Sequence, residues 1–316
     1  MDTPLVTIVI ATYCTDREQF AAALDSARDQ SHSKLEILIG DDSPDDSLRP
    51  LVVQRNDDRL VYVHNVLARG VAVNHWCAFN RAHGEFIVVL NHDDWLAPHF
   101  VATMVSALQQ NPQAVLAFCD HWLIDNGGRK QVDDTERTTL AWGRAGLAPG
   151  MHRPFENLLL AQTIPMAMGT MFRRSALPAE LPANAGPAYD LWLTYLLART
   201  GDGAFYVPER LSAWRDHAGN QTTAAALPWL QGAADCWQAV AADPLLMGVR
   251  RAARARAAGG YCACAIRCWR NRKPMACAKF AMRSVRTRVT LRGLGLLMLS
   301  LLPQRLGASL LARRAA

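Results

Sequence analysis

Short apolar runs alternate with helical spacings over the first hundred residues. Leu5 to Ile10, Leu35 to Gly40 and Phe86 to Leu90 are brief and rich in β-branched residues, the pattern of strands buried on both faces. Arg59 to Asn65 alternates as a further strand. Between them, Phe20, Leu24 and Ala27 recur at helical period as far as Gln30, behind Asp16, a good N-cap. Gly70 to Ala82 reads as a second helix, Gly84 turns the chain into the strand at Phe86, and Pro98 is expected to open another helix. This β-α-β-α succession predicts an α/β fold with a mostly parallel, doubly wound central sheet.

The pattern changes in the last third. Alanine- and arginine-rich helical spacings run from Leu230 to Arg288, with expected breaks at Gly259-Gly260 and Pro274. Leu294 to Leu302 is apolar over nine residues, far short of the ~20 that a spanning helix needs. Residues 1–223 are therefore expected to form one domain and 224–316 a helical appendage.

Charge sharpens that division. Of the 34 basic residues, sixteen lie between Pro244 and the C-terminus, where there is no Asp or Glu; the 18 basic and 28 acidic residues left in 1–243 give a net charge of −10. The overall +6 thus hides an acidic body joined to a strongly basic tail. Arg292 and Arg305 flank the apolar segment, which suits a helix lying in an anionic membrane surface. Nucleic acid would satisfy the same charges and a solvated helical bundle would need no partner, but the flanking arginines favour the membrane, and no nucleic-acid partner is expected.

Eight cysteines form no CxxC pair and no secretory signal precedes them, so a reduced, cytoplasmic chain is expected. Cys262, Cys264 and Cys268 are read as small apolar helix residues. Neither GxGxxG nor GxxxxGK[ST] follows the first strand, which leaves dinucleotide and P-loop binding without support.

The chemistry concentrates where strands end. Phe86 to Leu90 runs into Asn91-His92-Asp93-Asp94, and Leu35 to Gly40 into Asp41-Asp42. Acids at the carboxyl ends of parallel strands face the crevice where such sheets bind ligands. Crowded oxygen donors there suit Mg²⁺ or Mn²⁺ bridging to a phosphate; the alternative is that Asp93 and Asp94 cap the next helix.

The order of motifs is more specific than any one of them. VTIVIATY (6–13), LEILIGDDSPDDS (35–47) and GVAVNHWCAFNRAHGEFIVVLNHDD (70–94) resemble the N-terminal half of family 2 glycosyltransferases, and GTMFRRSAL (169–177), AYDLWLTYLLA (188–198) and YVPERLSAWRDHAGNQTT (206–223) follow in that family's order. The resemblance spans about 4–223 and implies a nucleotide-diphospho-sugar transferase fold of the A type. It implies that Thr12 and Tyr13 contact the nucleotide base and that Asp42 accepts a hydrogen bond from it. Asn91-His92-Asp93 takes the DxD position, with Asp93 as metal ligand and Asn91 replacing the first aspartate, a change expected to weaken metal affinity. Asp94 is placed to orient Asp93 or the sugar hydroxyls.

Asp190 takes the position of the acceptor-activating base, Tyr189 standing where the family carries a first acid. His217, in Arg215-Asp216-His217, would ligate the metal or touch the diphosphate. The implied cofactor is Mn²⁺ or Mg²⁺, the donor a nucleotide-diphospho-sugar, the acceptor a cell-surface glycan precursor or lipid-linked glycan. The absence of QxxRW and of spanning helices favours single-sugar transfer over processive synthesis. Two alternatives remain. A sugar nucleotidyltransferase would carry a glycine-rich phosphate loop where Ala11-Thr12-Tyr13-Cys14 stands; a weakened nucleotide-sugar- or glycan-binding protein draws support from Asn91 and Tyr189. Trp122 and Trp142 are read as core packing rather than sugar platforms.

Overall fold

Seven elements alternate along the N-terminal segment: β1 (Val6–Thr12), α1 (Arg17–Arg28), β2 (Leu35–Asp41), α2 (Arg49–Val53), β3 (Leu60–His64), α3 (Val71–Arg81) and β4 (Phe86–Val89). They come from a computed structural model that describes residues 3–67, 69–182, 184–217 and 226–301. The chain divides into two compact units, Met1–Asn220 and Gln221–Ala316, three residues before the boundary expected from sequence. Residues 218–223 of the last motif and 302–316 of the basic tail lie outside the described residues.

Asp16 caps α1 as expected, its carboxylate accepting from the amides of Glu18 and Gln19. β3, β2, β1 and β4 lie side by side and parallel, with Val6 opposite Leu35 and Thr12 opposite Asp41. The apolar runs supply the core: Ile8, Ile10, Ile37, Phe86 and Phe100 are wholly enclosed. This register sets the carboxyl ends of β1 and β2 together, and places Asn91–Asp94 just past β4.

The second half of the sheet is mixed. After β5 (Trp95–Leu96) come α4 (Phe100–Gln110), β6 (Ala114–Ile124), α5 (Val132–Ala141), β7 (Gly150–His152), α6 (Glu156–Ala161), β8 (Thr170–Arg173), α7 (Tyr189–Ala198) and β9 (Gly203–Arg215). β8 inserts antiparallel between β4 and β6, and β9 pairs parallel with β6, giving the order β3-β2-β1-β4-β8-β6-β9-β5 with β7 on β9. The helix expected to open at Pro98 begins instead at Phe100. Trp95 and Leu96 are drawn into a short antiparallel pairing with Ala213 and Ser212 of β9, and the Pro98 carbonyl is taken by the Ser31 amide.

The second unit is helical: α8 (Leu227–Ala242), α9 (Arg250–Arg270), α10 (Pro274–Thr287) and α11 (Leu291–Ser300). The expected break at Pro274 is present, α9 ending at Arg270 and α10 starting at Pro274, but Gly259-Gly260 does not break a helix. α9 runs straight through, and a Cβ on Gly260 would stand 2.8 Å from Ala234 Cβ of α8, whereas one on Gly259 would meet nothing within 4 Å. Gly260 is there for close helix packing, not to interrupt the helix. The two glycines should respond oppositely to alanine. Gly259→Ala should stabilise this unit by up to about 1 kcal/mol through helix propensity, whereas Gly260→Ala should destabilise it by about 1–2 kcal/mol by wedging α8 from α9. Urea titrations of the two variants check this; a rise in midpoint for both would show that the helices separate without cost.

Cys236, Cys262, Cys264, Cys268 and Cys277 are buried free thiols inside this unit, which for Cys262, Cys264 and Cys268 fits their reading as apolar helix residues. Asp235 accepts from the hydroxyl of Tyr261 at 2.7 Å and pairs with Arg283 at 2.6 Å.

Candidate active site

The end of β1 meets the end of β2 through Thr12, whose carbonyl accepts from the Asp42 amide at 3.0 Å. The Thr12 side chain is buried and its Oγ1 has no hydrogen-bond partner among the described residues, while Tyr13 is mostly exposed. Asp41 is consumed structurally, accepting from the Tyr62 hydroxyl at 2.6 Å and the Ser43 amide at 2.9 Å. Asp42 is also buried and engaged: Oδ1 accepts from Asn65 Nδ2 at 2.7 Å, Oδ2 from the amides of Arg69 and Gly70 at 2.8 Å each. Its charge therefore holds the loop that leads into α3 and lies at that helix's positive end. Asn65 in turn donates to Asn74, which donates to the Gly40 carbonyl; a side chain at Gly40 would strike the Asn74 amide.

Past β4, the four-residue cluster separates into distinct tasks. Asn91 Nδ2 donates to Asp94 Oδ2 at 2.9 Å, and the Arg215 amide donates to Asp94 Oδ1 at 2.8 Å. Asp94 is buried, and both its burial and the nearby charge of Asp93 hold its carboxyl well above the usual carboxylate range. It acts as a brace between Asn91 and β9. Asp93 Oδ2 instead meets His217 Nε2 at 2.8 Å. Arg215, buried at the end of β9, donates from Nε to the Asp93 carbonyl at 2.8 Å and from a terminal nitrogen to the carbonyls of Asp125 and Asn126 at 2.9 and 2.7 Å. One arginine thus ties the acidic turn after β4 to the end of β6. Neither Asp93 nor Asp94 caps α4, which has no side-chain cap bond and begins six residues after Asp94.

Asp190 lies in the first turn of α7. Its Oδ1 accepts from the Leu191 amide at 2.8 Å, and burial raises its carboxyl above the usual 3.8. Tyr189, beside it, is buried and stacks on His75 of α3 with ring centroids 4.3 Å apart. Its hydroxyl lies 3.2 Å from His75 Nε2, and His75 Nδ1 lies 2.8 Å from the Val71 carbonyl. These partners put the imidazole proton on Nδ1 and make Tyr189 the donor to Nε2. Burial pushes the His75 pKa down to about 4, so the ring is neutral at physiological pH. Where the family carries a first acid, this chain has a hydroxyl that locks the start of α7 onto α3.

Sequence reasoning gave no role to His75, Asn74 or Asn65, since a histidine or asparagine inside an amphipathic helix, or an asparagine just past a strand, carries no signal of what it faces. Trp122 is not free for a sugar: Lys130 Nζ and the Arg210 guanidinium lie 4.4 and 4.7 Å from its ring centroid.

The donors suit a hard divalent ion only sparsely. Asp93 offers a carboxylate and His217 an imidazole, Asn91 is turned to Asp94, and the described residues contain no cluster of three or more His, Cys, Asp or Glu suited to a metal. The Asp93 carboxylate fits a hard divalent ion completed by substrate phosphates and water, and the His217 imidazole would suit Mn²⁺ better than the all-oxygen preference of Mg²⁺.

The likenesses to known proteins bear on the family and the fold. The model of glycosyl transferase family 2 matches residues 7–178. A glycosyltransferase of Rickettsia prowazekii is 26% identical over 238 residues, 74% of this chain and 70% of its own. The UDP-Glc:alpha-D-GlcNAc-diphosphoundecaprenol beta-1,3-glucosyltransferase WfaP of Escherichia coli is 34% identical over 103 residues, 32% of this chain and 39% of its own. With a Methanocaldococcus jannaschii glycosyltransferase the match spans 45% of the relative's length, so several curated relatives are matched over less than half of theirs. Among solved structures, Staphylococcus aureus TarS 1–349 superposes with a TM-score of 0.65 at 13% identity, covering 93% of this chain and 84% of that one. The Pyrobaculum calidifontis mannosyltransferase PcManGT, solved with GDP-Man and Mn²⁺, superposes at 0.56 with 18% identity, covering 94% and 79%. The chain belongs to glycosyl transferase family 2.

Proposed function

We propose that the protein is an inverting, metal-dependent, non-processive glycosyltransferase. It moves one sugar from a nucleotide-diphosphate donor to a hydroxyl of a cell-surface glycan precursor or lipid-linked acceptor, at the inner face of the plasma membrane. The observation that carries the reading is the contact of Asp93 with His217, which joins the end of β4 to a residue 124 positions away just past β9. The relative named for transfer to a diphosphoundecaprenol-linked sugar supports the acceptor class.

In this reading Thr12, Tyr13 and Asp42 form the nucleotide end, with the unpartnered Thr12 hydroxyl left for the donor. Asp42 also holds Asn65 and the amides of Arg69 and Gly70. Asn91 and Asp94 fix the turn that carries Asp93. Asp93 and His217 would hold Mn²⁺ or Mg²⁺, which when bound offsets the charge gathering on the departing diphosphate. Asp190 takes the proton of the acceptor hydroxyl as its oxygen bonds to C1 of the sugar; the bond from C1 to the diphosphate oxygen breaks on the opposite face. The nucleoside diphosphate leaves with the bonding pair and the proton stays on the Asp190 carboxylate.

A thermal-shift panel of UDP- and GDP-sugars with Mn²⁺, Mg²⁺ or EDTA tests donor and metal without knowledge of the acceptor. A ligand that binds only the folded state at 100 times its Kd stabilises it by about 2.7 kcal/mol. One donor should raise the melting temperature with metal and lose that effect in EDTA. No shift from any donor under any metal would count against the transferase and for the binding-protein alternative.

A further inference from the structure

The last helix among the described residues is apolar on two sides. Gly293, Leu296 and Leu299 of α11 are buried, and a Cβ on Gly293 would lie 3.2 Å from Ser284 and Val285 of α10. Leu291, Leu294, Met298 and Leu301 recur three and four residues apart on another face; Leu291 is 90%, Leu301 74% and Met298 67% exposed, and Leu294 at its edge 37%. Val289, in the link before the helix, is 70% exposed. A helix that packs one stripe normally turns polar residues outward, and an exposed apolar stripe marks an interaction surface. Arg286, Arg288 and Arg292, all exposed, stand beside this stripe.

The charge of the segment selects the occupant. No acid follows Asp243, and Asp235 is already paired with Arg283. A second copy docked by the same face would bring cations against cations. Nucleic acid would meet the arginines and leave the leucines and methionine in water. The helix of ten residues is about 15 Å long, half the ~30 Å of a bilayer core, and no described helix is long and apolar enough to cross one.

We infer that the exposed face of α11 docks in the plane of an anionic lipid surface. Leu291, Leu294, Met298 and Leu301 enter the acyl boundary, and Arg286, Arg288 and Arg292 meet lipid phosphates. The inference rests on the membrane placement proposed above and names the surface that makes it; it needs nothing from the transfer chemistry.

The test is co-sedimentation of the full chain with phosphatidylcholine vesicles and with vesicles containing about a third phosphatidylglycerol. Binding should appear with the anionic vesicles at low salt and weaken as salt rises. Met298→Asp and Leu291→Asp, at positions 67% and 90% exposed, should each lower partitioning about tenfold or more with unchanged melting, because each removes one apolar side chain from the lipid. Arg288→Glu with Arg292→Glu should abolish the preference for anionic lipid. No binding to anionic vesicles at low salt would overturn the inference, as would equal binding by Met298→Asp and the parent. A dimer dissolved by Met298→Asp, or a nucleic-acid complex indifferent to it, would overturn it too. Donor-induced melting shifts on the same proteins keep the two readings apart: a retained shift without vesicle binding removes only the docking face, and vesicle binding without a shift removes only the transferase reading.

Discussion

Asp190→Asn protein is expected to transfer sugar roughly 10²- to 10⁴-fold more slowly than the parent, the usual cost of removing a general base. It should still bind donor and should melt at the same temperature or slightly higher. The combination is diagnostic. Asparagine keeps an oxygen for the Leu191 amide that Asp190 now holds, so α7 keeps its first turn. Burial raises the Asp190 pKa in the folded protein above the unfolded value near 3.8. A carboxyl shifted in that direction contributes stability only while protonated, and the contribution is lost as pH rises through the folded pKa. At neutral pH the charged group therefore opposes folding, and a neutral replacement relieves it. The same shift sets the acid limb of the parent's kcat/KM profile above pH 3.8, with activity lost as pH falls and Asp190 takes a proton. Substantial turnover by the asparagine variant, or an acid limb that it leaves in place, would remove Asp190 from its role.

Arg215→Ala should be the most destabilising single change near the site. Its guanidinium serves the carbonyls of Asp93, Asp125 and Asn126, and truncation leaves these without that donor, the Asp93 carbonyl in a buried turn. The loss should be about 2–4 kcal/mol for hydrogen bonds from a charged donor. In a unit of this size that lowers the melting temperature by roughly 5–15 °C. Lysine should recover little, because a point charge cannot reach carbonyls on two sides of a planar fork. Calorimetry of both variants measures this; a drop under about 2 °C for alanine would mean that water replaces the guanidinium at no cost. Metal-dependent donor binding should fall as well, since the Asp93 backbone is one of the groups released.

What could be read from the chain follows the range of the forces involved. The strand β2 runs from Leu35 to Asp41 because a short β-branched run has little choice, and Asp16 caps α1 because its partners lie two and three residues away. The acids at strand ends could be placed in a crevice once β-α alternation fixed a parallel sheet. Gly259-Gly260 misled for the same reason: local propensity reads glycine as a break, and only Ala234, from another helix, shows why Gly260 tolerates the cost. Trp95-Leu96 could not be recognised as a strand because its partners, Ala213 and Ser212, are more than a hundred residues away.

The sequence by itself determined the alternating sheet, the clustering of Asp42, Asn91, Asp93 and Asp94 at strand ends, the family, and the split between an acidic body and a basic tail. Each depends on residues close together or on the order of whole motifs. Only the tertiary structure decided what each of those acids touches: Asp94 accepts from Asn91 and Arg215, Asp42 from the loop before α3, and Asp93 meets His217. It also decided that Tyr189 grips His75, and that α11 keeps an apolar stripe in water. A side chain's role depends on what folds against it, and chain order does not carry those distances.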